Sequence, residues 1–154
     1  MEIHPQRENQ PNIDFAEIKF IGLHAGWWIV ELIAIVTNHG KVQHQLEQFE
    51  FDLNALGPDD PVEQRAQWGN QVHFPQLVTK GSFLPDGTQY FFIDPGGTAR
   101  YSHVTRVSEQ TRFLLLHAWF QYPGNRRLHH AAESTAAVLV GIPNKIASEG
   151  NILV

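Results

Sequence analysis

Nine histidines in a chain of 154 residues are the part of this composition most able to do chemistry, because imidazole both ligates metals and moves protons near neutral pH. A protein metal site needs three or four ligands converging on one point. The sequence has no His-Glu-x-x-His spacing, although His129 and His130 are adjacent. The strongest candidate set is His103 and His117, which share a face if residues 99–107 and 111–122 form a hairpin through a three-residue turn at 108–110. His130 or Glu133 would complete that set only if the last strand lies alongside. The same cluster would serve a general base. Against this stands the structural reading of a half-buried histidine bonded to backbone. His24, His39, His44 and His73 fall at turns or on polar faces and read as surface.

Other catalytic chemistries find less support. Ser134 lies in "AESTA", without the strained G-x-S-x-G elbow that exposes a nucleophile, and Ser82 and Ser102 carry no signature. The absence of cysteine excludes thiol catalysis, disulfides and Cys-ligated zinc. "DPGGTAR" lacks the phosphate-loop lysine and the G-x-G-x-x-G spacing, so it reads as a turn. No cofactor is implied.

The aromatics suggest binding instead. Trp27, Trp28, Trp68 and Trp119, with Tyr90, Tyr101 and Tyr122, are of the types that anchor interfaces. Adjacent residues of a strand face opposite sides, so Trp27 and Trp28 cannot share one core, and one of them must lie on an outer face.

These residues must be positioned by strands. Runs rich in Val, Ile, Thr, Phe, Tyr and Trp, each closed by a turn cluster, predict strands over 14–24, 27–37, 41–53, 71–79, 88–93, 99–107, 111–122 and 131–140. "TNHG" (Asn38 and Gly40), "PDG" (85–87), "DPGG" (94–97) and "YPGN" (122–125) supply turn chemistry, the first by positive φ. "DDPVEQRAQW" predicts a short helix with Asp60 as N-cap, Pro61 at its first position and Glu63 closing a capping box. In "KVQHQLEQFEFDL" the apolar phase slips by one residue, which predicts a β-bulge between Leu46 and Phe49 that leaves Gln48, Glu50 and Asp52 in water.

Two runs are apolar on both strand faces: "GWWIVELIAIV" (26–36), broken only by Glu31, and "TRFLLLHAWFQY" (111–122). A membrane-spanning helix needs about 20 apolar residues, and the first run has about half that. It therefore predicts a strand needing cover on its outer side. The long connection after Leu53, a chain terminus or a second molecule would supply that cover.

The formal charge of −5 and pI near 5.9 argue against nucleic acid as partner. Acids gather in the middle of the chain and Arg100, Arg106, Arg112, Arg126 and Arg127 later. The polar start "MEIHPQRENQPN" lacks an apolar signal core, so the expected location is cytoplasmic.

Together these features predict an all-β protein: an antiparallel two-sheet sandwich, immunoglobulin-like, of about eight strands with one short helix in a long connection. The expected organisation is a single domain over 1–142, with 1–13 as a flexible arm and 143–154 as a tail. The expected function is a non-enzymatic binding module, a homodimer that takes an acidic protein or peptide on an apolar sheet face or edge through Trp27, Ile29, Ile33, Arg106 and Trp119. Two alternatives stay open: a small histidine-based hydrolase or metal-dependent enzyme, and a barrel holding a small apolar ligand.

Overall fold

The computed structural model describes residues 11–121 and 131–140. Among them run β1 (Asn12–His24), β2 (Trp27–Thr37), β3 (His44–Leu56), β4 (Gln76–Ser82), β5 (Tyr90–Ile93), β6 (Thr98–Ser108), β7 (Phe113–Gln121) and β8 (Ala131–Leu139). The three-stranded sheet has the order β1-β2-β6, and the five-stranded sheet has β4-β3-β7-β8 with β5 also paired to β3. All pairings are antiparallel. Strands β1, β2 and β6 facing β3, β7 and β8 give the immunoglobulin-like sandwich. The turn signals placed most of these strands correctly, with β2 falling on 27–37 as expected.

The sheets meet over an aromatic core. Phe49 has its ring centroid 4.8 Å from Phe83, 5.1 Å from Tyr101, and 5.6 Å from both Phe91 and Phe120. Val30, Leu32, Ala34 and Val36 of β2 and Leu114, Leu116 and Ala118 of β7 close around them without exposure. Alternation brings this about, since each strand sends every second residue inward.

The phase slip in β3 is resolved as expected. The register with β7 shifts between Glu47 and Glu50, and Gln48 adopts φ +58°, donating its backbone N–H to Gln89 O at 3.1 Å. The extra residue returns Phe49, Phe51 and Leu53 to the core.

Three expectations are corrected. The hairpin between 99–107 and 111–122 does not form: β6 pairs with β2, whereas β7 pairs with β3 and β8. The link between them changes sheets, because Glu109 N–H bonds Gly26 O while Arg112 N–H bonds Leu56 O. The capping box at Asp60 does not form either. Its carboxylate accepts from Gly57 N–H at 2.8 Å and Gln76 Nε2 at 2.6 Å, and only a 3-10 turn, Ala66–Trp68, follows. Asn38 and Gly40 do not take positive φ. Instead Asn38 is fully buried, its amide nitrogen donating to Val42 O and Ile93 O and its amide oxygen accepting from Gly40 N–H. A buried amide so satisfied ties the end of β2 to the start of β3 and the end of β5.

Of the arm expected over 1–13, Asn12 and Ile13 belong to β1, whereas residues 1–10, the turn at 122–125, the tail at 143–154 and His130 lie outside the described residues. No helix among those described is long and apolar enough to cross a membrane.

Candidate functional site

The residues singled out for binding divide between two surfaces. Trp27, Ile29, Ile33 and Arg106 lie on the outer face of the three-stranded sheet, and Trp119 lies on the outer face of the five-stranded sheet. Of the tryptophan pair, Trp28 turns inward against Phe20 at 5.4 Å, and Trp27 turns outward.

The outward stripe of β2 is roofed by its neighbours. Arg100 stands opposite Ile35, yet its guanidinium reaches Glu31 at 3.2 Å, so it passes beside Ile33, which lies between them. Ile33 is accordingly only 4% exposed. Arg106 stands opposite Ile29, and its guanidinium lies 3.9 Å above the Trp27 ring. Arg106 thus places its charged head against the indole, and Arg100 places its own on Glu31.

Among the described residues the three-stranded sheet ends at β6. The bonds flanking the β2–β6 ladder, Asn38 N–H to Gly97 O at 3.0 Å and Glu109 N–H to Gly26 O at 3.1 Å, both involve odd-numbered residues on the β6 side. The register between them is unbroken, and hydrogen-bonded pairs recur at every second residue of an antiparallel ladder. The backbone groups of Arg100, Ser102, Val104 and Arg106 therefore point away from β2. Among the described residues no strand pairs with them. Val104, in the middle of this edge, is 56% exposed, and neither proline nor bulge interrupts it.

The outer face of the five-stranded sheet is built differently. Cross-strand register sets Ser82, Glu50 and Trp119 in one row and Lys80, Asp52 and His117 in the next. These residues, His117 apart, line a hollow of about 600 Å³. A second hollow, of about 310 Å³, follows where the connection between β3 and β4 lays Trp68, His73 and Phe74 beside Asn54 and Leu115. That connection is one of the covers expected for the β7 run. Trp68 contacts His73 at 4.8 Å and the Arg65 guanidinium at 4.6 Å, and His117 stacks on Trp119 at 4.7 Å.

The histidine cluster is not assembled. His103 points into the sandwich from β6, its ring 5.0 Å from Phe51, while His117 faces outward on the other sheet. Backbone pairing puts Glu133 opposite Trp119, and its side chain lies outside the described set. Among the described residues no group of three potential ligands is placed to hold a metal. Two other titrating groups are perturbed, both by burial: His44 is held below the usual imidazole range and Tyr101 above the usual phenol range.

Sequence reading missed the juxtaposition of Glu50, Asp52 and Lys80 with Trp119. The outward position of the two acids was legible from the bulge, but their neighbours depend on strand order.

No protein-family model and no curated protein matches the chain. Solved structures do resemble it. The sporulation control protein Spo0M from Bacillus subtilis is 12% identical with a TM-score of 0.52, over 84% of this chain and 49% of that one. The ApaA protein from Bordetella pertussis is 14% identical with a TM-score of 0.51, over 88% of this chain and 95% of that one. A β-glucuronidase from Bacteroides uniformis is 13% identical with a TM-score of 0.52, over 84% of this chain but 14% of the enzyme. At such identities the likeness shows that the chain shares a β-sandwich fold with these proteins, and the fold alone.

Proposed function

We propose that this chain is a non-enzymatic binding module that takes an extended, acidic segment of another protein as an added strand along β6. The carrying observation is the edge of β6, unpaired among the described residues, with outward backbone groups at Arg100, Ser102, Val104 and Arg106. Strand addition satisfies such groups directly, while alternate side chains of the guest meet the sheet faces. Arg106, which has no salt bridge among the described residues, sits on the outer face beside Val104, so an acidic residue in the guest gains complementary charge there, while Arg100 is already paired with Glu31.

The same charges disfavour β6 pairing with β6 of a second copy. An antiparallel pairing centred on His103 would set Arg100 opposite Arg106 of that copy, and like charges directly opposed destabilise a ladder. Dimerisation, the second half of this reading, is instead assigned to the outer face of the three-stranded sheet. Val104, opposite the outward Glu31 and 56% exposed, is its free apolar surface, whereas Ile33 needs no second copy for its burial.

Fluorescence polarisation with labelled acidic peptides containing an aromatic residue tests the first half. Binding with a dissociation constant of about 10–100 μM is expected, weakened about tenfold by Arg106→Glu and by raised salt. An absence of binders, or binders indifferent to both changes, contradicts it. Light scattering tests the second half: a monomer at tens of micromolar contradicts the dimer.

A further inference from the structure

We infer that the outer face of the five-stranded sheet is a second binding site, separate from β6, whose ligand is a neutral oligosaccharide lying along β3 and β7. The larger hollow presents Glu50, Asp52 and Lys80 beside the Trp119 indole. Asp52 and Lys80 are register partners, yet no ion pair joins them, and Glu50 has no salt bridge among the described residues. Ser82 is already committed, its hydroxyl donating to Phe49 O and accepting from Leu84 N–H. Among the described side chains, what remains is two acceptors and one donor around an aromatic surface.

That set selects the ligand. An apolar molecule would leave three charged groups without partners, which is costly on desolvation. An anion would meet two carboxylates, and a cation would meet the Lys80 ammonium beside Asp52. A sugar hydroxyl donates to a carboxylate and accepts from an ammonium with the same group. The C–H face of a pyranose ring carries partial positive charge, which suits the negative face of an indole. Stacked against His117 at 4.7 Å, Trp119 is held in place before any ligand arrives.

The ligand is a chain rather than a single ring because the hollows lie in line. Leu115 of the smaller hollow and Trp119 of the larger are four residues apart on β7, roughly 13 Å along a strand. The smaller hollow adds neutral groups: Asn54, whose Nδ2 donates to Phe74 O while its Oδ1 stays available, and Gln71.

The test is calorimetric titration with cellohexaose, xylohexaose, mannohexaose and maltohexaose, with the Trp119 indole N–H followed by NMR. At least one saccharide is expected to bind and to shift that resonance. Trp119→Ala should weaken it about tenfold. Asp52→Asn, which keeps the side chain's shape at a half-exposed position, should also weaken it about tenfold. No saccharide shifting Trp119 at 10 mM (about 2.7 kcal/mol of affinity) overturns the inference. So does binding indifferent to both substitutions, or a lysine-rich peptide shifting Trp119 where the saccharides do not.

Discussion

The outer faces of the two sheets answer one problem in opposite ways. β2 and β7 are each apolar on both sides, so each sheet exposes a surface that needs cover. On the three-stranded sheet the neighbouring strand supplies it, with the Arg100–Glu31 pair beside Ile33 and Arg106 over Trp27. On the five-stranded sheet the connection between β3 and β4 lies over one end, and the hollow at Trp119 holds charges that no ion pair joins among the described residues. Polar groups satisfied within the chain stabilise a surface, and polar groups left without partners beside an aromatic are available to a ligand.

The largest effect should separate inside from outside on one strand. Leu116→Ala, at a fully buried position, is expected to cost about 2–5 kcal/mol by cavity formation. Leu115→Ala, on the outer face among the lining of the smaller hollow, should cost under about 1.5 kcal/mol, because water already reaches it. Urea unfolding of both variants measures the difference. Equal costs would mean that the β3–β4 connection seals the outer face as tightly as the core.

A smaller effect compares the charges on the two faces. Arg100→Ala should destabilise by about 1 kcal/mol, mostly through uncovering Ile33, since the ion pair itself is weakened by an arginine side chain that is 53% exposed. Asp52→Asn should change stability by less than about 0.5 kcal/mol. The same urea midpoints check this, and a loss at Asp52 as large as that at Arg100 would erase the distinction between spent and available charge.

The smallest is a pH dependence. Burial holds the His44 imidazole below its usual range, so the unfolded chain binds the proton more readily than the folded one. Its contribution is complete above pH about 6.5 and falls as the solution is acidified below that. His44→Gln should flatten the decline in the urea midpoint between pH 7.5 and 5.5.

How much of this was legible in the sequence follows from which interactions are local. Strand positions rest on alternation and turn residues a few places apart, so β2 and the bulge at Gln48 could be read directly. Adjacency required that one of Trp27 and Trp28 face outward, and the packing of Trp28 on Phe20 decides that it is Trp27. The helix at Asp60 misled because the carboxylate is taken by Gln76, sixteen residues on. Asn38 misled for the same reason, its partner Ile93 O being supplied by β5. The hairpin that would have joined His103 to His117 failed at the link that changes sheets, and no residue of 108–112 encodes that choice alone. Strand order is a property of the assembled core, and both candidate sites, the β6 edge and the Trp119 hollow, exist only once it is set.

Strand addition at β6 is read most directly by amide hydrogen exchange, residue by residue, with and without a saturating acidic peptide. The amides of Arg100, Ser102, Val104 and Arg106, which have no partner strand among the described residues, should exchange fast in the free protein and become protected in the complex. A saturated complex in which those four amides exchange as before would contradict strand addition at β6.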